Sequence, residues 1–360
     1  MILSHLNVHH LRNISSARLT LHPQYNVIYG ANGSGKTSLL EAIYLLGSGH
    51  SFRTREISPL IRHEEQSLTV FARMASGESI SIQKNRMGST QVKLNQQFCQ
   101  RSSELAHFLP CQVFYQDIFQ IIDAGPTVRR SLLDWGMFHV KHNYHDLWKD
   151  YRRVLKQRNA LLRQRASKEL CVPWDRMLVD LATALDTLRS DYVSQWSTVF
   201  QSCLGLLTDV PCSIQYFKGW DKKKSGKSLA DILDEQFASD SQQQYTHSGA
   251  HQADIIFDTS ALNAKQTLSR GQQKIILIAL KLAQAQLLSK PCVYLFDDVA
   301  AELDKKHLER LFSCLAQLNG QVFLTMIDPS SFLASSHFMD AAKFTLEDGA
   351  ISCELPHCFT

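Results

Sequence analysis

The sequence predicts an α/β fold interrupted by an inserted, mainly helical domain, and three observations carry that expectation. First, Gly30, Ala31, Asn32, Gly33, Ser34, Gly35, Lys36 and Thr37 fit G-x-x-x-x-G-K-[ST] between an apolar run, Tyr25 to Tyr29, and a helix-like segment, Ser38 to Leu46. Second, from about residue 126 to 241 the apolar positions switch to helical spacing. Third, beyond that region Leu268 to Gln272 opens a helix, and an apolar run from Cys292 ends in the acids Asp297 and Asp298.

Taken in order, Ile2 to Val8, Ala17 to Leu21 and Asn26 to Tyr29 read as short strands leading into the glycine-rich loop, with a polar turn at His10 to Asn13. Arg12 in that turn is either a base contact or an exposed loop arginine. After the first helix comes a small, basic loop, Gly47 to Arg55, whose Arg53 and Arg55 either touch phosphate or cap a solvated loop. Leu68 to Met74, Glu78 to Lys84 and Thr90 to Asn95 alternate around Gly77 and Gly88, the pattern of an antiparallel meander. Val113 to Tyr115 is a strand followed by Gln116 and Asp117, where a residue sensing a γ-phosphate belongs.

The helical region places apolar residues at Leu147, Tyr151, Val154 and Leu155, and again from Met177 to Leu188. Its first long helix carries Lys149, Arg152, Arg153, Lys156, Arg158, Arg163 and Arg165, and a later loop holds Lys222, Lys223, Lys224 and Lys227. Such a helix is either a salt-sensitive contact to phosphate backbones, with Arg152, Arg153 and Lys156 as candidates, or a solvated face. Arg129 and Arg130 are open in the same way.

Composition bounds these readings. The 360 residues suit about two domains of roughly 150 residues each. With 44% hydrophobic and 20% charged residues, the chain has the composition of a soluble protein. Thirty-eight Lys and Arg against 34 Asp and Glu give a net charge of +4, mildly basic and compatible with nucleic acid. Nine cysteines form no C-x-x-C pair and are odd in number, which favours a reducing compartment over a disulfide framework. No signal peptide stands at the start, and no run approaches the roughly 18 apolar residues of a membrane span. A cytosolic location is expected.

The chemistry of the motifs is specific. Gly30, Gly33 and Gly35 permit backbone angles that turn successive amides towards one anion at a helix N-terminus. Lys36 reaches the β and γ phosphates, and Thr37 supplies an oxygen to a magnesium ion. Ser269 stands at a natural N-cap and Gly271 leaves amides uncovered, which makes a second anion-binding helix end together with Gln272. Asp297 completes the metal shell while Asp298 orients or deprotonates a water; alternatively the two acids cap the next helix. The succession of phosphate loop, LSRGQ, acidic strand and AELD (Ala301 to Asp304) defines an ABC-type P-loop ATPase head with mixed sheets, formed by residues 1–120 and 245–360 around a helical arm, 121–244.

Over nearly its whole length the chain resembles the RecF family of bacterial DNA replication and repair proteins. The resemblance is carried by NVIYGANGSGKTSLLEAIYLLGSGHSFRT, by GPTVRRSLLDWGMFH (Gly125 to His139), by GAHQAD (Gly249 to Asp254), and by LSRGQQK and YLFDDVAAELD. It implies a head similar to those of SMC-like ATPases, dimerisation on ATP and Mg2+, engagement of gapped or duplex DNA near single-strand junctions, and action with RecR and RecO in loading RecA. ATP hydrolysis, weak and stimulated by DNA, would serve as a release switch. Carried over by residue, Gly30 to Thr37 bind nucleotide, with Lys36 and Asp298 catalytic and Thr37 and Asp297 on the metal. Ser269, Gly271 and Gln272 then complete the site of an opposing subunit.

Three departures stand out. Asp298 occupies a position where ABC proteins often carry Glu, Thr325 stands where many carry a switch His, and Gln116 and Asp117 replace a more usual Pro-Glu. Gln116 and Thr325 are the two candidates for γ-phosphate sensor. An ATPase subunit of a transporter and a passive structural chromosome protein are the competing readings of an ABC head alone.

Overall fold

Strand alternation in the first hundred residues closes into one sheet in the computed structural model, which describes residues 2–99, 101–115, 121, 125–141, 143–259, 268–299, 303–328 and 340–354. The strands are β1 (Leu3–Leu11), β2 (Ile14–Thr20), β4 (Ser67–Met74), β5 (Ser79–Asn85), β6 (Thr90–Leu94) and β7 (Gln97–Phe98), after a β3 (Tyr25–Tyr29) that belongs elsewhere. They pair antiparallel in the order β2-β1-β4-β5-β6-β7. Every second residue points inward: Leu6, Val8, Val70, Ala72, Ile80 and Ile82 are fully buried in one apolar cluster. The first turn is tighter than expected, because β1 runs on to Leu11 and only Arg12 and Asn13 remain outside the strands.

The second sheet holds the glycine-rich loop. Its order is β14-β13-β3-β12-β11-β8, built from β3, β8 (Cys111–Phe114), β11 (Cys292–Phe296), β12 (Gly320–Met326), β13 (Ala342–Glu347) and β14 (Ala350–Glu354). All neighbours are parallel except the β13–β14 hairpin. Strands buried on both faces read as continuous apolar runs, as Cys292–Phe296 does. Helix α1 (Lys36–Ser48) follows the loop and buries Leu39, Leu40, Ile43 and Leu46 in the cluster shared with the first sheet. α2 (Ser102–Phe108) precedes β8.

The chain divides into two units, Met1–Ile118 with Leu288–Thr360, and Phe119–Leu287. In the second, α3 (Pro126–Val140), α4 (Tyr144–Arg163), α5 (Lys168–Leu207) and α6 (Leu229–Gln243) are joined by a two-stranded sheet of β9 (Ser213–Phe217) and β10 (Asp254–Asp258), and by α7 (Arg270–Gln286). This division ends the inserted unit at residue 287, where the sequence reading placed its end at 244. The reason is packing: Trp196 Nε1 of α5 donates to Leu280 O of α7 at 3.0 Å, and Gln284 Nε2 donates to Leu132 O at 2.9 Å. Helix α5 is also longer than its apolar spacing suggested, running 40 residues with Pro173 near its start. α8 (Lys305–Leu315) returns to the first unit, capped by Asp304, whose side chain accepts from His307 N at 2.9 Å.

Candidate nucleotide-binding site

The loop Gly30–Gly35 emerges from β3 and ends at Gly35, whose φ of 114° makes it the N-cap of α1 without any side-chain cap. The first amides of α1 therefore remain available to an anion. Gly30, at φ 153°, lies so close to β13 that a Cβ there would come 2.3 Å from Leu346 O. Only glycine fits that approach. The Ser34 hydroxyl is buried in the loop with no hydrogen-bond partner. Asn13 braces the outer side, donating to Gly33 O at 3.2 Å and accepting from Ser38 Oγ at 3.3 Å.

Lys36 folds back over the loop, its Nζ donating to Gly30 O at 2.7 Å and Ala31 O at 2.8 Å. Burial pulls its pKa down, and the charges of Asp298 and Asp297 oppose that shift. Thr37 Oγ1 donates to Asp297 Oδ1 at 2.9 Å, so the first turn of α1 meets the end of β11. The two acids sit there because β11 lies one strand from β3, with β12 between them and Phe296 opposite Leu324. Asp297 N donates to Phe114 O at 2.7 Å, and Asp298 has a left-handed φ of 48°.

Thr325 is fully buried in β12 and its hydroxyl is spent on the acids, donating to Asp297 Oδ1 at 2.8 Å and accepting from Asp298 N at 2.8 Å. Burial raises the pKa of Asp297. The Thr325 and Thr37 hydroxyls hold it down, the Asp298 charge pushes it up, and Arg53 pulls it down again. Of the two arginines in the basic loop, Arg53 is thus the one whose charge acts on Asp297. The Thr37 hydroxyl and the Asp297 carboxylate, which meet at 2.9 Å, are oxygen donors of the kind a magnesium ion takes.

Other expected residues lie elsewhere. Ser269 N-caps α7 in the second unit: its hydroxyl accepts from Gln272 N at 3.3 Å, and Gln272 Oε1 accepts from Ser269 N at 2.9 Å, with Gly271 in the same turn. Gln116, Asp117, Ala301 and Glu302 fall outside the described residues. Arg12 is committed to the protein itself, pairing its guanidinium with Glu41, which is fully buried on α1 and also accepts from Ser51 Oγ. Sequence reasoning missed Glu41; a carboxylate inside the apolar stripe Leu39, Leu40, Ala42 and Ile43 was the signal.

On α4, Arg152, Arg153 and Lys156 are exposed, with Lys149 and Arg163 on the same helical face. Arg153 pairs with Asp150 at 3.1 Å. Arg158, which the sequence grouped with them, is fully buried: it bonds Asp175 at 2.5 Å, and Asp240 and Thr246 at 2.7 Å each. The signal was its place in the row Tyr151, Val154, Arg158, Leu162. Arg129 and Arg130 are likewise structural, since Arg129 forms a two-point pair with Asp254 at 2.8 and 2.7 Å and Arg130 donates to Ala253 O at 2.9 Å. The segments RRSLLDW and GAHQAD therefore meet in one interface of the second unit.

Comparison with known proteins agrees with this architecture. Residues 2–346 match the RecF/RecN/SMC N-terminal domain family. A DNA replication and repair protein RecF from Shewanella amazonensis is 39% identical over 361 residues, 98% of this chain and 99% of its own. The RecF of a Marinomonas species is 38% identical, covering 98% of each chain. A solved structure of the recombination mediator protein RecF with ATP superposes with a TM-score of 0.82 at 23% identity, over 98% of this chain and 99% of that one. An SMC head bound to a domain of ScpA superposes with a TM-score of 0.62 at 16% identity, over 98% and 97%. With an ABC-type ATPase fold and relatives of that name along its full length, the chain belongs to the RecF family of DNA replication and repair proteins.

Proposed function

We propose that this chain is an ATP-dependent DNA clamp of recombinational repair and replication restart. The observation that carries the reading is the meeting of Thr37 with Asp297 beside the uncapped start of α1. Phosphates rest on the loop amides, with Lys36 turning from the loop carbonyls to the β and γ oxygens and the Ser34 hydroxyl gaining an acceptor. Thr37 and Asp297 hold Mg2+, which supplies charge neutralisation when bound. Asp298 orients the attacking water. Thr325, its hydroxyl already engaged, serves as the residue that sets both acids in place rather than as the γ-phosphate sensor.

Ser269, Gly271 and Gln272 of a second copy close the site over the γ-phosphate, so ATP acts as the link in a homodimer and its slow hydrolysis releases the dimer. The exposed face of α4, with Arg152, Arg153 and Lys156, contacts duplex DNA near single-strand junctions. RecR, with RecO and RecA in the same pathway, are the protein partners, and the site of action is the cytoplasm. Among the described residues no helix is long and apolar enough to cross a membrane.

Sedimentation with ATP tests the clamp. Wild type and Asp298→Asn are expected as dimers, the latter persistent, and Lys36→Met and Ser269→Arg as monomers. Dimers that form without ATP in all four proteins refute the reading.

A further inference from the structure

The six strands of the antiparallel sheet contain Arg18, Arg73, Lys84 and Lys93 but no aspartate or glutamate. Over the whole chain acids nearly match Lys and Arg, 34 against 38, so the exclusion is local. Lys84 is buried; Arg18, Arg73 and Lys93 are exposed on the face opposite the apolar cluster.

The registers line up one row across that open face. Arg18 lies opposite Asn7, Asn7 opposite Phe71, Phe71 opposite Ser81, Ser81 opposite Lys93, and Lys93 opposite Phe98. In the neighbouring row His5 sits between Thr20 and Arg73. At about 4.8 Å per strand the row spans roughly 24 Å. Phe98 is 68% exposed, and Lys93 Nζ stands 4.8 Å from its ring centroid.

We propose that this open face is a platform for single-stranded nucleic acid, with Phe71 and Phe98 stacking on bases and Arg18, Arg73 and Lys93 neutralising phosphates. The inference rests on the chain's reading as a DNA-binding protein, and assigns single strands to a surface separate from α4. A duplex keeps its bases stacked on one another and offers phosphates and groove edges, so the exposed ring of Phe98 and the half-buried ring of Phe71 gain no stacking from it. Strands without acids that carry cations and aromatics in the same row suit an unstacked strand, whose bases and phosphates alternate. An acidic polypeptide would use the cations but has no need of Phe98.

The test is anisotropy titration of the full chain, without nucleotide, against a labelled dT oligomer of about twelve nucleotides and a duplex of the same length. Phe98→Ala is expected to weaken dT binding about tenfold and leave duplex binding unchanged. Arg18→Glu with Lys93→Glu is expected to weaken dT binding and lower its log–log salt slope by about 1.4. Met87→Ala, at a 96% exposed turn beside the same strands, controls for general surface effects and should change nothing. Unchanged dT affinity in both sheet variants overturns the platform, as does displacement of dT by poly-glutamate with Phe98→Ala inert. If Arg152→Glu, Arg153→Glu, Lys156→Glu abolishes duplex binding while the sheet variants bind dT normally, the platform fails and the clamp stands; a wild type that binds neither probe, either here or after ATP is added, overturns both.

Discussion

Thr325 Oγ1 stands 2.8 Å from Asp297 Oδ1 and accepts from the amide of Asp298 at the same distance, so one buried hydroxyl fixes both acids at the end of β11. Thr325→Val leaves that amide without its acceptor and Asp297 Oδ1 with the Thr37 hydroxyl but not that of Thr325, at a cost of about 1–3 kcal/mol in positioning. The expected outcome is a kcat for ATP hydrolysis lower by roughly 10- to 100-fold, nucleotide affinity nearly unchanged, and recovery in Thr325→Ser. Steady-state turnover and fluorescent-nucleotide binding measure the split. A loss of affinity equal to the loss of kcat would place Thr325 on the nucleotide instead.

Two glycines of the loop separate backbone clash from backbone strain. At Gly30 a Cβ meets Leu346 O at 2.3 Å, whereas at Gly33, φ 82°, it meets nothing within 4 Å. Gly33→Ala should cost only about 1–2 kcal/mol of strain. Gly30→Ala must displace β13 and should also abolish the thermal shift produced by ATP, as thermal melts with and without nucleotide will show.

The same helix supplies a stability contrast. Arg158→Met leaves the buried Asp240 and the half-buried Asp175 without the guanidinium they share and should cost about 3–5 kcal/mol. Arg152→Met, six residues away and exposed, should stay within about 0.5 kcal/mol. Urea unfolding of the full chain measures both.

One buried imidazole, His22, and one half-buried, His251, give the fold an acid limit. Thr246 O can only accept, so His251 Nε2 carries the proton at 2.9 Å, and Nδ1 accepts from the Tyr151 hydroxyl at 2.7 Å. His22 Nδ1 likewise accepts from the amides of Gln24 and Tyr25. Burial lowers both pKa values below the ordinary 6.5. The unfolded chain takes up these protons first, so stability is full above about pH 6.5 and is lost as pH falls from there towards the folded pKa values. Thermal midpoints from pH 5 to 8 should show that fall, and His251→Gln should flatten it; a flat wild-type profile contradicts it.

Much of the head was legible because its signals are local. The loop Gly30 to Thr37, the cap at Ser269 and the acids after an apolar strand depend on neighbours in sequence, and the structure forms each of them as a local element. What escaped depends on distant partners. Arg152 and Arg158 are the same kind of residue six positions apart, and only the carboxylates of Asp175 and Asp240 decide that one is core. Thr325 read as a missing histidine because its hydroxyl points sideways to β11, a contact no strand pattern encodes. The division at residue 287 differs from the expected boundary at 244 for the same reason: α7 has an ordinary apolar pattern, and its contacts run to Trp196, which donates to Leu280 O, and to Tyr192, whose hydroxyl accepts from Gln284 Nε2 at 3.1 Å.

The pairing of β3 has a consequence for synthesis. Tyr25 aligns with Val322 and Asn26 with Ala342, so the strand that presents the phosphate loop has both its neighbours about 300 residues downstream. The antiparallel sheet, complete by Phe98, can form while the rest is still being translated. At about 5–20 residues per second the wait for β12 is roughly 15–60 s. During that interval Tyr25–Tyr29 is an apolar segment with unpaired edges. The growing chain is thus exposed to aggregation at the very strand on which the proposed nucleotide site depends.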